Sequence, residues 1–318
     1  MNDLPPIPYP WQQTLWKRLL SLYEKQQLPH ALLFTGVKGF GQLELARTFA
    51  RHILDRKNLF DAGTHPDYIE LRPEEGKSTI KIDQVRHLSD QFKQTSSHYR
   101  VAIIEPAEGM NNAASNALLK TLEEPTPNSL LILIAYESSR LLATTKSRCQ
   151  AIRFGLENKP DTLSWLAEHL PDDISTPWLL DMADNAPLLA ITLADEDNRK
   201  LRKALLRDFV QLCQHKLDPV TMATNWAKQD TDRVLRCLSQ WLHDMMRIEQ
   251  GIFIENADER YIDLFKKLQQ QFANKDVFAI VKLINQTRSE LQQFAGLNKQ
   301  YQLQALFVQL IEKDVCHG

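Results

Sequence analysis

Gly36-Val37-Lys38-Gly39-Phe40-Gly41-Gln42-Leu43 stands between a short apolar run and an amphipathic stretch, and that position decides the fold. The run before it, His30-Ala31-Leu32-Leu33-Phe34-Thr35, suits a buried parallel strand. After it, Leu43, Leu45, Ala46, Phe49, Ala50 and Ile53 recur at helical spacing. A phosphate-binding loop reads G-x-x-x-x-G-K-[ST] in that same strand–loop–helix context. Gly36 and Gly41 align with its two glycines, and Gly39 lies between them, so these three are the candidate nucleotide-binding positions. Glycines here let backbone N–H groups turn inward toward phosphate. Gln42, however, holds the place of the lysine, and Leu43 that of the hydroxyl residue. The missing lysine charge is worth roughly 4 kcal/mol at ~4 Å and an effective dielectric of ~20. Leu43 has no oxygen for Mg²⁺, and Lys38 sits at the wrong place to substitute for the lysine. A plain glycine turn after a strand, without nucleotide ancestry, stays open as the other reading.

Working outward, Tyr68-Ile69-Glu70-Leu71, Val101-Ala102-Ile103-Ile104, Leu130 to Ala135 and Gln150 to Phe154 read as further strands. Helices fall between them: one marked by Val85, Leu88 and Phe92, another from Asn112 to Glu124 stopped by Pro125. Strands alternating with helices imply a parallel sheet with helices on both faces. The pattern changes near Leu156 to Asp161, beyond which no strand run is evident. Stripes such as Leu201, Leu205, Phe209, Leu212 and Leu235, Leu238, Leu242, Met245 give long helices whose apolar faces are plain core. The expected organisation is an α/β unit over 1–157, a small helical unit over 158–198 and an all-α unit over 199–318.

At 318 residues the chain has material for two or three domains. Its net charge of -2 argues against a protein that holds nucleic acid alone through phosphate contacts. No run approaches the ~20 apolar residues of a membrane span. Met1 to Pro6 has neither a basic nor an apolar leader region, so no membrane partner and a cytoplasmic location are expected. The cysteines Cys149, Cys213, Cys237 and Cys316 are far apart and are expected to be free thiols, without metal or disulfide.

A second catalytic station is also degraded. In a nucleotide hydrolase the third strand ends in adjacent carboxylates for Mg²⁺ and water. Here Ile103-Ile104 runs into Glu105-Pro106-Ala107-Glu108, with one carboxylate at the strand end. A fold kept while its chemistry was dropped explains both losses. Ser147-Arg148-Cys149 follows the fourth strand; read alone, Arg148 is better explained by a surface ion pair with a carboxylate than by a functional role.

Several segments occur in an order that carries more information. They are His30-Ala31-Leu32-Leu33, Gly36 to Gly41, His65-Pro66-Asp67, Ile82-Asp83-Gln84-Val85-Arg86, Asn116-Ala117-Leu118-Leu119-Lys120-Thr121-Leu122-Glu123-Glu124-Pro125 and Ser147-Arg148-Cys149. Together they resemble the bacterial clamp loader subunits of DNA polymerase III, strongly through Phe154 and diffusely beyond. Tyr9-Pro10-Trp11 and Gly296-Leu297-Asn298 add to the likeness. The resemblance implies a AAA+ α/β domain, a helical lid and an all-α collar. It implies membership of a ring that opens the sliding clamp and loads it onto primed DNA, with ATPase subunits (gamma/tau) and a delta subunit as partners. It also implies that Arg148 reaches in trans into the ATP site of a neighbouring subunit, as an arginine finger.

Two departures matter. Many relatives carry a four-cysteine zinc module where this chain has Leu54 to Ala62 without cysteine, so no zinc and no cofactor of its own are expected. The lid stretch Met182 to Leu188 lacks the arginine that senses the γ-phosphate in AAA+ ATPases. His65-Pro66-Asp67 is expected to be a turn rather than a metal site, and Lys120 either a contact to DNA or a neighbour, or a solvated ion pair. The six tryptophans form no basic–aromatic stripe for single strands and are expected to pack in cores or interfaces. Two functions compete: a nonhydrolytic ring subunit acting in trans, and a AAA+ ATPase that hydrolyses ATP by itself in replication or repair.

Overall fold

In the computed structural model the described residues are 7–54, 59–60, 63–92, 99–171, 175–252, 259–272, 276–293 and 296–311. Cys316, and residues 55–58 and 61–62 of the cysteine-free stretch, lie outside them. The chain forms two compact units, Met1–Leu170 with Ala183–Ile191, and Pro171–Met182 with Thr192–Gly318. The helices expected over 158–198 are divided between the two.

The first unit begins with a 3-10 turn, Pro10–Gln12, and helix α1 (Gln13–Glu24). There follow β1 (Ala31–Thr35), α2 (Gln42–Ile53), β2 (Tyr68–Leu71), α3 (Ile82–Phe92) and β3 (Arg100–Ile104). Then come α4 (Asn112–Glu123), β4 (Ser129–Ala135), the single-turn α5 (Ala143–Lys146), β5 (Gln150–Arg153) and α6 (Lys159–His169). The apolar runs became strands within a residue or two of their expected bounds. The sheet is parallel in the order β2-β3-β4-β1-β5. Its central strands are buried along their length, which is why they read as continuous apolar runs rather than alternating ones. On one face Ala31, Leu33, Leu131, Leu133, Ala102 and Ile104 pack with Val85 and Leu88 of α3 and Leu118 and Leu122 of α4. Side chains alternate across a strand, so Leu32, Phe34, Ile103 and Ile132, also buried, serve the other face.

This order has a consequence for the carboxyl edge of the sheet. Residues following β2, β3, β4 and β1 stand there in a row: Arg72, Glu105, Tyr136 and Gly36. In open α/β sheets ligands bind at this edge.

The second unit contains α7 (Thr176–Met182) and, after α8 (Pro187–Ala194), the helices α9 (Glu196–Cys213), α10 (Pro219–Trp226) and α11 (Thr231–Glu249). It continues with α12 (Glu259–Phe272), α13 (Val277–Gln293) and α14 (Lys299–Ile311). The expected stripes meet in one core around Phe209, Leu212, Trp226, Leu238, Trp241, Leu242, Phe265, Ile284 and Phe307. Asp195, Asp218 and Asp230 cap α9, α10 and α11 through their side chains.

Candidate functional site: a phosphate-loop edge closed on itself

Gly41 caps α2 with φ 77°, a left-handed conformation that favours glycine. A Cβ there would lie 2.7 Å from Gln12 Nε2 and 3.0 Å from the Tyr9 ring, so the N-terminal turn sits directly on the loop. Gly39 is equally enclosed: its Cβ would lie 2.8 Å from that of Leu189.

The loop carbonyls are engaged within the chain. Gln42 turns back, and its amide donates to Gly36 O at 3.2 Å and Val37 O at 2.8 Å. Leu188 N–H donates to Gly39 O at 2.9 Å. Trp11 Nε1 donates to Phe40 O at 3.0 Å, and Gln12 Nε2 to Phe40 O at 2.7 Å and Gly41 O at 2.9 Å. Gln12 is itself held by Tyr9, whose N–H donates to Gln12 Oε1 at 3.1 Å. Tyr9 stacks on Trp11 at 5.0 Å, and both rings meet the edge of Trp165 on α6. Gln42 thus occupies the lysine position with a neutral amide that ties the loop to itself.

The strand-end carboxylate is equally committed. Glu105 Oε2 pairs with Arg72 Nη2 at 3.0 Å, and Glu105 Oε1 accepts from the Tyr136 hydroxyl at 2.6 Å. Burial, and then Glu105, push the Tyr136 hydroxyl far above the ordinary tyrosine range, so it stays a donor at any physiological pH. Arg72 also pairs with Glu70 at 2.8 Å; Glu70 in turn accepts two bonds from Arg47 and one from Tyr68. Glu108 folds inward instead, its Oε1 accepting from Tyr136 N–H at 3.0 Å and Glu137 N–H at 3.1 Å. Burial raises its carboxyl despite those bonds. Lys38 reaches over the Tyr136 ring, 5.6 Å from its centroid.

Arg148 lies apart from this row, on the turn after α5 and half-exposed. Its Nη2 pairs with Glu123 Oε1 at 2.6 Å, and its Nη1 donates to Thr144 O at 2.9 Å. The ion pair that the sequence left open therefore exists in the chain by itself. The adjoining Cys149 is pushed up to about 11 by burial.

Gly36, Gly39, Gly41 and Arg148 were legible as candidates. Arg72, Tyr136, Gln12 and Glu123 were not singled out for these roles. Arg72 directly follows a strand run and Tyr136 another, which was the available signal. His65-Pro66-Asp67 forms a turn, with Asp67 N–H donating to His65 Nδ1 at 3.1 Å and Asp67 pairing with Arg100. Among the described residues no group of three or more His, Cys, Asp or Glu side chains is placed to hold a metal. Nor is any described helix long and apolar enough to cross a membrane.

A parallel sheet in the order β2-β3-β4-β1-β5, a phosphate-type loop after β1 and an all-helical C-terminal part are the architecture of a AAA+ protein. Comparison narrows this. The family described as "DNA polymerase III, delta subunit" matches residues 11–158, and "DNA polymerase III, delta subunit, C terminal" matches residues 196–312. The DNA polymerase III subunit delta' of Pseudomonas aeruginosa is 33% identical over 323 residues, covering 95% of this chain and 96% of that protein. The delta' of Haemophilus influenzae is 29% identical, covering 93% and 94%. That of Escherichia coli is 30% identical over 213 residues, covering 62% and 64%. The chain belongs to the DNA polymerase III delta' subunit family.

Proposed function

We propose that this chain is the nonhydrolytic stator of its clamp loader and acts on ATP only in trans, through Arg148. The partners are the ATPase subunits (gamma/tau) and the delta subunit, with the sliding clamp and primed DNA engaged by the complex. In this reading residues 158–198 serve as the lid and 199–318 as the collar that holds the ring.

One observation carries the proposal. Where a hydrolase needs a mobile cation and a free carboxylate, Gln42 is bonded to the loop carbonyls and Glu105 to Arg72 and Tyr136. The residues present do not fit a Mg-nucleotide at this edge: the lysine is absent, Leu43 offers no oxygen, and Glu105 is already neutralised. A nucleotide at this edge therefore has no part in the proposed mechanism. Arg148 needs none. A guanidinium placed against the transferring phosphoryl group of a neighbour stabilises its spread charge, worth about 10³–10⁵ in rate where such fingers operate.

The test compares ATP hydrolysis by the purified chain with that of the complex assembled on clamp and primed DNA. Support is no turnover from the chain alone, and partner turnover that falls with Arg148→Ala while assembly persists. Turnover by the chain alone at the rate of its ATPase partners overturns the stator reading in favour of a self-sufficient ATPase. An unchanged rate with Arg148→Ala overturns the trans role.

A further inference from the structure

We infer that Glu123 is the positioning residue of Arg148: its carboxylate fixes the guanidinium in the place from which it acts on the neighbouring site. This rests on the trans reading of Arg148 and adds the residue that makes that arginine ready.

Glu123 stands at an unfavourable place for an acid. It is the last residue of α4, where the negative end of the helix dipole disfavours a carboxylate. Glu124 follows at once, so two acids crowd that terminus. Lys120 is the one basic residue of that last turn, and Glu123 forms its ion pair outside the helix, with Arg148 at 2.6 Å.

The platform beneath Glu123 is rigid. Leu118 and Leu122 are buried in the sheet core. Thr121 Oγ1 donates to Ser89 Oγ on α3 at 2.9 Å, and His30 Nε2 lies 3.0 Å from Leu122 O at the mouth of β1. Asn111 caps the far end by accepting from Ala114 N–H at 2.8 Å. Together these contacts hold α4 in place, and Glu123 passes that order on to an otherwise flexible side chain.

The grip has three points. Glu123 holds Nη2, while Thr144 O on the single-turn α5 accepts from Nη1 at 2.9 Å and Ser147 Oγ accepts from it at 3.4 Å. A guanidinium has more N–H donors than these contacts use, so it is oriented without being consumed. Positioning is where catalytic arginines are sensitive, since a misplacement of about 1 Å costs as much as about 10²-fold.

The test uses the full complex, assembled with clamp and primed DNA, carrying Glu123→Ala, Glu123→Gln, Arg148→Ala or Glu123→Ala with Arg148→Ala. For Glu123→Ala we expect kcat for ATP to fall about 3- to 30-fold, with KM and subunit assembly unchanged. Glu123→Gln retains an acceptor for Nη2 and is expected to recover most of the rate. In the Arg148→Ala background the Glu123 change is expected to add nothing. If Arg148→Ala lowers the rate and Glu123→Ala does not, or raises it, the positioning role is overturned while the trans reading stands. If Arg148→Ala has no effect, the reading beneath it has failed. A Glu123→Ala loss that persists in the Arg148→Ala background, or that appears in KM or assembly, is a structural effect and also overturns the inference.

Discussion

At the scale of single residues, the loop shows how one substitution becomes structure. Gln42 is more than a lost lysine, because its amide makes two bonds to the loop it belongs to. Restoring the motif is therefore not expected to restore the chemistry. The double variant Gln42→Lys with Leu43→Thr returns a cation and a hydroxyl but leaves Glu105 paired with Arg72 and bonded to Tyr136. It also leaves Tyr9 and Gln12 against Gly41. Its ATP turnover as a purified chain is expected to stay at background, and turnover at the rate of the ATPase partners contradicts this. The two lost bonds are expected to cost about 1–2 kcal/mol of stability, read as a lowered midpoint in denaturant. Cys149 offers a second test. Its thiol, pushed up to about 11 by burial, is protonated at neutral pH and becomes a thiolate only as pH approaches that value. Alkylation at Cys149 near pH ~8 is expected about two decades more slowly than for an unperturbed thiol. Peptide mass spectrometry over time measures this, and labelling at the free-thiol rate contradicts it. Legibility at this scale was partial. Gly36, Gly41 and Arg148 announce themselves through short motifs. Gln12, Arg72 and Tyr136 do not, because these partners lie 28 to 33 residues away and only the tertiary fold brings them together.

At the scale of elements, the strands were legible because both faces of a parallel sheet are covered, so each strand reads as an unbroken apolar run. Helix α4 was legible as a helix from its spacing and from Pro125, yet its role was not. Its buried face holds the sheet, Thr121 ties it to α3, and its last residue meets Arg148. In the helical unit, α11 places Asp244 in the core, fully buried, where it accepts from the Tyr261 hydroxyl at 2.7 Å and from Gln240 at 3.1 Å. Burial raises its carboxyl above the ordinary aspartate range, although Tyr261, Arg202, Arg247 and Gln240 pull it back. The folded state then binds this proton more tightly than the unfolded chain does. Its contribution to stability is highest below the ordinary aspartate pKa and declines as pH rises through the folded value. Asp244→Asn removes that dependence while keeping an acceptor for Tyr261. The difference in Tm, variant minus parent, is expected to rise as pH increases from about 4 to 7. A difference that is constant or falls over that range contradicts it.

At the scale of the whole molecule, the bulk numbers set limits that the site respects. A net charge of -2 argues against a protein that holds nucleic acid alone through phosphate contacts. The sheet edge that follows β1 and β3 has Gln42 bonded to the loop carbonyls and Glu105 bonded to Arg72 and Tyr136. Sequence gave little warning of that closure, because amphipathic stripes and glycine spacing report which elements form and not which side chains meet at a sheet edge. The central claim is that Arg148 acts on a neighbour's ATP while the chain's own edge is inert. The most direct measurement is the DNA-dependent ATPase rate of the clamp loader assembled with the parent chain or with Arg148→Ala, beside the chain alone. No turnover is expected from the chain alone, and a loss of roughly 10³-fold is expected at the adjoining site with Arg148→Ala, with the complex still assembled. Unchanged hydrolysis in the Arg148→Ala complex, or robust hydrolysis by the isolated chain, would contradict it.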